Sequence, residues 1–329
     1  MTKTIAVTGA NGHIGNVICR FLTEQGYSVN AMYHSDTTAL KGLPVTLFKG
    51  SVLNKEDLLR LFSNCDIVIN CAAIISIHGD PDGIVFKTNT EGPANVLEVA
   101  IKSGIKKIIH ISSVHAVEEE PLSLPFDEKR PYKKATAAVY DYSKAMGEQF
   151  LLNSGNTNAP EVVILRPSAV IGPFDFKPSE MGKALIQFYN EKILALPEGG
   201  YNFVDVRDVV DSVIHAIEKG CNGQIYMLSG KYYTLKQLAQ SIKNVTGKNV
   251  PSTVIPTSIL HLLLPIISIY SKVSGTPPLF TKTSITILKT CHTNMDCSKA
   301  KAELGHHTRP LEETIRDFYA WQKTNHAIQ

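Results

Sequence analysis

The sequence has no long apolar run. Its longest, residues 259–269 (ILHLLLPIISI), is interrupted by Pro265 and falls short of the roughly 20 residues that a membrane-spanning helix needs. No transmembrane segment is expected. The stretch reads first as packing for its own lobe; an apolar substrate entrance or a peripheral membrane contact are the other readings. An excess of one charge is also missing. Lys and Arg number 33 against 30 Asp and Glu, a formal charge of +3, with acids and bases interspersed. No basic stripe marks a nucleic-acid surface, so no nucleic acid partner is expected. Cysteines are few, at 19, 65, 71, 221, 291 and 297. None forms a CxxC pair and no His stands at zinc-finger spacing, so neither a metal site nor a disulfide framework is expected. Reduced thiols fit a cytoplasmic protein. The opening MTKTIAVTGANG enters a strand directly and lacks the apolar core of a signal peptide. Internal repeats and low-complexity segments are absent.

What is present is enough apolar matter for a large core: 43% of 329 residues, one big domain or two modest ones. The first half alternates strand and helix signals. Strands are expected at 4–8, 28–33, 45–48, 66–70, 107–111 and 162–165. Helices are expected at 12–24, after the N-cap Asn54, and over 82–103, with Gly26 and Gly104 as stops. Short, nearly continuous apolar strands separated by helices predict a parallel α/β sheet, doubly wound, with helices on both faces. Residues 118–130 read as a charged surface loop. After about Pro173 the pattern loosens into helices (205–219, 234–246, 311–321) and proline-rich connections. This predicts a dinucleotide-binding domain over 1–173 and a smaller, mostly helical substrate lobe over 174–329, with parts of 203–228 returning to the first domain.

The first strand runs into Thr8-Gly9-Ala10-Asn11-Gly12-His13-Ile14-Gly15, a GxxGxxG spacing. Gly9 permits a tight turn off the strand. Gly12 has no Cβ to keep a pyrophosphate away, and Gly15 lets helix and strand pack closely. The N–H groups of His13, Ile14 and Gly15 then face the ligand at the positive end of the helix dipole. An ordinary glycine-rich βα turn is the plainer reading. The position of these glycines between the first strand and its helix favours a dinucleotide.

Five segments together resemble the extended short-chain dehydrogenase/reductase family: TGANGHIG at 8–15, NCAA at 70–73, NTEGPANVLEVA at 89–100, ILRPSAVIGP at 164–173 and FVDVRDVV at 203–210. The resemblance spans most of the chain and implies a Rossmann fold with a nicotinamide cofactor. It places Ala72 and Pro167 among the cofactor-binding residues. Within the family the chain looks most like the dihydroflavonol-reductase and 3β-hydroxysteroid-dehydrogenase branch, through PPLFTKTSITIL at 277–288 and the apolar stretch before it.

Tyr140-Asp-Tyr-Ser-Lys144 is a YxxxK spacing: Tyr140 and Lys144 stand at i and i+4, one face of a helix. A cation beside the phenol is expected to lower its pKa from about 10 and make Tyr140 a general acid or base. The resemblance gives Lys144 a second task, holding the nicotinamide ribose. Tyr142 is expected to face elsewhere. Of the two serines ending the fifth strand, Ser113 fits the family's catalytic position and would hydrogen-bond the substrate oxygen; Ser112 is the alternative. Asn89 reads either as a supporting residue or as a helix N-cap.

At the end of the second strand, where NAD enzymes carry an acid for the ribose 2′-OH, stand Tyr33, His34, Ser35 and Asp36. His34 with Ser35 could bond a 2′-phosphate, which favours NADP; Asp36 could reach the ribose if the strand ends later, which leaves NAD open. Ser51 replaces the acid that relatives use on the adenine. The expected activity is hydride transfer between nicotinamide and a carbonyl or alcohol of a fairly apolar small molecule. The alternatives are a nucleotide-sugar epimerase, and a non-catalytic NADP-sensing protein, against which Tyr140 and Lys144 argue. Val114 and His115 after Ser113 leave no adjacent acid for dehydration. Homodimerisation through the 82–103 and 140–152 helices is a further expectation from the resemblance.

Overall fold

A computed structural model describes residues 3–77, 79–153, 159–260, 262, 282–325 and 328. The expected parallel sheet is there. Strands β1 (Thr4–Thr8), β2 (Ser28–Tyr33), β3 (Thr46–Lys49), β4 (Ile67–Asn70), β5 (Lys107–Ile111) and β6 (Glu161–Pro167) join β10 (Gln224–Leu228), described below, in the order β10-β6-β5-β4-β1-β2-β3. Every pairing in it is parallel. β1 lies between β2 and β4, with Ile5 opposite Val29 on one side and Ile67 on the other. The winding direction reverses there, and the crevice beyond the carboxyl ends of these strands is where such sheets bind ligands.

Side chains alternate along each strand, so each strand feeds two cores. Ile5 and Val7 pack with Val17, Ile18 and Leu22 of α1 (His13–Glu24), Val209 and Val213 of α6 (Val206–Lys219) and Leu304. Ala6 and Val68 face the other way, onto Leu58 and Leu61 of α2 (Lys55–Phe62), Val96 of α3 (Ile84–Lys102) and Leu151 of α4 (Val139–Leu152). Asn54 caps α2, its Oδ1 accepting from Glu56 and Asp57 N–H.

The second lobe holds a small sheet of β7 (Ala169–Ile171), β9 (Gly200–Asp205) and β11 (Lys231–Thr234), and a short pair, β8 (Leu196–Pro197) with β12 (Val254–Ile255). Around them pack α5 (Glu180–Tyr189), α7 (Leu235–Thr246), α8 (Lys282–Thr290) and α10 (Leu311–Thr324) through Leu185, Leu238, Leu288 and Phe318. α9 (Ser298–Leu304) lies against α6 and β10 instead. The chain crosses back midway: α6 packs on α1, and β10 pairs with β6, Tyr226 opposite Leu165.

Two expectations need amendment. Residues 118–130 are not simply a surface loop: Phe126 is buried against Met295, and Arg130 donates to the carbonyls of Pro121, Leu124 and Pro125. A guanidinium with three carbonyl acceptors can sit inside. Of residues 259–269, only 259, 260 and 262 are described; Leu260 is buried while Ile259 and Leu262 are exposed. The rest of that stretch, and 277–281 of the branch-like segment, lie outside the described residues. Among the described residues no helix is long and apolar enough to cross a membrane.

Candidate active site

Gly9 turns with φ +62°, and a Cβ there would stand 2.8 Å from the backbone of Cys71 and Ala72. A Cβ on Gly15 would meet the Gly9 carbonyl oxygen at 2.2 Å. Glycine is thus required twice, once by φ and contact and once by contact alone. Gly12 N–H donates to Gly9 O at 3.0 Å, and Gly12 caps α1 without a side-chain hydrogen bond. The first N–H groups of α1, those of His13, Ile14 and Gly15, are left to the crevice. The His13 ring is turned away, Nε2 lying 2.9 Å from Pro173 O, so only its backbone faces a ligand. Asn16, a residue the sequence reading passes over, is buried and donates to Gly12, His13 and Phe174 carbonyls. It ties the turn to the 173–174 segment.

At the far end of the crevice His34, Ser35 and Asp36 are exposed. Asp36 is already engaged: it accepts from Thr38 N at 2.9 Å, Thr38 Oγ1 at 2.7 Å and Asn11 Nδ2 at 3.3 Å. These bonds, Thr38's foremost, hold its carboxyl below the usual range. The Ser51 hydroxyl accepts from Leu53 N at 3.2 Å, and Ser51 N donates to Asp57 Oδ2 at 3.0 Å. A carboxylate therefore stands beside Ser51, supplied by α2 and not by the strand end. Ala72 N donates to Thr8 Oγ1, and Pro167 ends β6.

Ser113, Tyr140 and Lys144 come together at the carboxyl edge of β5. Ser113 Oγ accepts from His115 N at 3.1 Å, capping a short 3₁₀ turn (Val114–Ala116), and is in hydrogen-bond contact with the Tyr140 phenol. Lys144 is buried, and its Nζ donates to Ile111 O at 2.8 Å. Burial draws its pKa down to about 8, against the charge of Glu148 and the Cys71 thiol. Cys71 touches the Gly9 turn, so the three residues adjoin the glycines. Tyr142 turns aside and stacks on Phe86, centroids 5.8 Å apart. The expected lowering of the Tyr140 pKa is not seen. Burial pushes the phenol up to about 12, with Ser113 opposing and Asp141 adding to the rise; the ammonium of Lys144 is directed at the Ile111 carbonyl instead.

Asn89 is not an N-cap. It lies inside α3, where Oδ1 accepts from Ile74 N at 2.9 Å and Nδ2 donates to Ile74 O and Ser143 Oγ, each at 3.0 Å. It pins the loop after β4 to α4. Ser112 donates to Glu148, whose carboxylate also takes Arg166 at 2.6 Å, both groups fully buried. Beneath them Thr8, Asn70 and His110 form a chain across β1, β4 and β5, Thr8 Oγ1 to Asn70 Oδ1 at 2.5 Å and Asn70 Nδ2 to His110 Nδ1 at 3.0 Å. Burial, then Lys144, keeps His110 neutral.

Acids missing from positions 114 and 115 arrive from elsewhere. His115 Nδ1 lies 3.9 Å from Glu119 and 4.0 Å from Asp141, and its ring stands edge-on to that of Tyr140. Lys133 pairs with Glu119 and Glu118. Burial opposes a charged His115, but the two carboxylates outweigh it and its pKa is raised. Next to this cluster a groove of about 330 Å³ is lined by Ser76, Ile77, Gly79, Asp80, Ala138 and Val139.

Comparison with known proteins agrees with this geometry. The family model described as "NAD dependent epimerase/dehydratase family" matches residues 5–229. The sterol demethylase protein B of Methylococcus capsulatus is 29% identical over 262 residues, covering 78% of this chain and 79% of that protein. A putative dihydroflavonol 4-reductase of Synechocystis is 29% identical over 333 residues, covering 98% and 95%. The crystal structure of gox2253 superposes with a TM-score of 0.85 at 27% identity, covering 100% of both chains. The glycine turn at the switch point, the buried lysine one turn beyond a tyrosine, and a match over two thirds of the chain have one reading. The chain belongs to the NAD-dependent epimerase/dehydratase family and is an enzyme of the extended short-chain dehydrogenase/reductase type.

Proposed function

We propose that the enzyme transfers a hydride between a nicotinamide cofactor and a carbonyl or alcohol carbon of a fairly apolar small molecule, with Tyr140 as general acid and base. The observation that carries this is the meeting of Ser113, Tyr140 and Lys144 at the edge of β5, adjoining the glycine turn. A dinucleotide fits that turn: two positions exclude a Cβ, and the first N–H groups of α1 have no side-chain cap. Gly9, Gly12, His13, Ile14 and Gly15 would hold the pyrophosphate through backbone, with Ala72 and Pro167 along the crevice and Lys144 at the ribose hydroxyls. When bound, the nicotinamide supplies or accepts the hydride. In the reductive direction the Ser113 hydroxyl donates to the carbonyl oxygen and orients it. Tyr140 Oη gives that oxygen its proton as the C–H bond forms, the carbonyl becomes an alcohol, and the phenol is reprotonated from solvent.

The groove beside Tyr140 has Ile77, Ala138 and Val139 in its wall, and Ile75 next to it is 70% exposed. Such a lining suits an apolar substrate. Replacing Tyr140 by Phe removes the proton carrier and little else. Turnover should fall by roughly 10²–10⁴-fold, with nucleotide affinity nearly unchanged by calorimetry; a Tyr140→Phe enzyme of full activity would refute the assignment.

For the nucleotide we infer a preference for NADP. The one acid at the end of β2, Asp36, already accepts three hydrogen bonds, and His34 and Ser35 stand exposed where a 2′-phosphate would lie. Titration calorimetry should give tighter binding of NADP than of NAD, and His34→Ala should weaken NADP selectively. Tighter NAD binding would overturn this preference.

A further inference from the structure

Tyr140 gives up a proton at each reductive turnover and has to recover it before the next. Its neighbours differ in what they offer. Lys144 lies on the inner side. It is buried, its Nζ is spent on Ile111 O, and the groups around it include Glu148, committed to Ser112 and Arg166, and neutral His110. Glu148 and His110 are buried as deeply as the lysine.

His115 lies on the other side, in the 3₁₀ turn that Ser113 caps, with 29% of its side chain exposed. Two contacts fix it against the reacting pair. Its N–H donates to Ser113 Oγ at 3.1 Å, and Ser113 in turn bonds the Tyr140 phenol. Its ring stands edge-on to that of Tyr140, centroids 6.4 Å apart and planes at 64°. Because Ser113 Oγ touches both residues, the hydroxyl end of the phenol is the end turned toward His115.

The titratable groups facing His115 come from several segments. Glu119, just beyond the turn, lies 3.9 Å from Nδ1, and Asp141 of α4 lies 4.0 Å from it. Lys133, next to the Tyr132 that bridges to Val117, pairs with Glu118 and Glu119. Cys291, on the far side of Glu119, is a thiol whose pKa burial raises, so it brings no charge. Three carboxylates thus face one ammonium, and an imidazolium reduces that excess. Burial disfavours a charged His115, but the carboxylates outweigh it and its pKa is raised. Ion-paired histidines are often structural. This one is partly open to solvent, holds a proton near neutral pH and adjoins the group that loses one.

We propose that His115 is the residue through which Tyr140 recovers its proton. The imidazolium gives a proton to the phenolate through one intervening water, becomes neutral imidazole, and takes a proton from solvent at its exposed edge. Glu119 and Asp141 hold the ring and its charge. No electron moves in this step, and the net uptake is one proton from solvent for each hydride transferred. Oxidation runs the same path backwards. His115 acts through Tyr140 and is a positioning residue for the proton. The inference rests on the hydride-transfer reading above.

The test compares the wild type with His115→Phe, which keeps a ring against Tyr140, and with Glu119→Gln. The probes are NADPH and a set of aromatic aldehydes and ketones, para-nitrobenzaldehyde first. Tyr140 starts protonated, so in rapid mixing His115→Phe should consume its first equivalent of NADPH about as fast as the wild type does. Later turnovers should slow by roughly tenfold or more, and added imidazole should restore them. Wild-type kcat for reduction should fall as pH rises through the His115 pKa. That limb should vanish in His115→Phe and move to lower pH in Glu119→Gln, where one carboxylate no longer favours the charged ring. Nucleotide affinity by calorimetry should be unchanged in both variants, which separates a lost relay from a lost fold. A first turnover slowed as much as the rest, later turnovers at the wild-type rate, or no response to imidazole would overturn the proposal. A wild type no faster on the probes than Tyr140→Phe would instead fail the reaction assigned above, and the relay with it.

Discussion

Lys144 illustrates how one side chain can serve chemistry against stability. Only 2% of it is exposed, and burial brings its pKa from 10.5 to about 8. The folded-state value is below the unfolded one, so the unfolded chain binds more protons between those pH values. The penalty of burying the charge is therefore complete below about pH 8 and fades as pH rises toward 10.5. Met has a similar length and no charge. Lys144→Met should abolish turnover yet, without added nucleotide, raise unfolding stability near neutral pH by about 2 kcal/mol, after allowing for the lost bond to Ile111 O. That gain should shrink in urea titrations repeated at rising pH; a gain independent of pH would contradict the explanation. That Tyr140 and Lys144 share one helix face was legible from their spacing, but only their place between the fifth and sixth strands singled the pair out from an ordinary solvated one. Their electrostatics were not legible. The phenol's pKa depends on burial and on where the ammonium points, and the His115, Glu119, Asp141 and Lys133 cluster joins residues from three separate segments.

At the scale of elements, α4 carries the site and α3 holds α4. Gly147 is the point of closest approach. A Cβ there would lie 2.5 Å from Asn89 O and 3.3 Å from Pro93 Cγ. Gly147→Ala forces the helices apart, which overpacking data put at about 1–3 kcal/mol. Because Tyr140 and Lys144 ride on α4, turnover should drop more than nucleotide affinity; steady-state kinetics beside calorimetry distinguish the two. The long strands and helices of the large sheet were readable from apolar periodicity and stops. β4, for example, is an apolar run, Ile67 to Ile69, between the polar Asp66 and Asn70. The small sheet was not. β7 has three residues and β8 and β12 two each, too few for alternation to register. α5 also went unread, between proline-containing connections. Asn89 shows a subtler limit. A polar residue near a helix start suggests a cap, and only the loop after β4 folding back upon it reveals a clamp.

Across the whole molecule, the two lobes are stitched by charge at α6. Arg207 bonds Asp205 at 2.8 Å and Asp317 of α10 at 2.6 Å, while Arg309 reaches buried Asp208 at 2.7 Å. Asp317 and Arg309 lie about a hundred residues from their partners Arg207 and Asp208, and nothing in the local sequence announces the pairing. The change of rhythm after about Pro173 was legible; the ion pairs that tie α6 to the chain beyond it were not. The crossing of β10 back into the large sheet has a consequence for how the protein is made. β6 is an open strand edge until Leu228, on the far side of a passage through the other lobe, has left the ribosome. Such an edge invites pairing with another chain. A nascent or truncated polypeptide ending near residue 173 carries it permanently, so residues 1–173 are not a module that can be expressed by cutting the chain where the rhythm of its sequence changes.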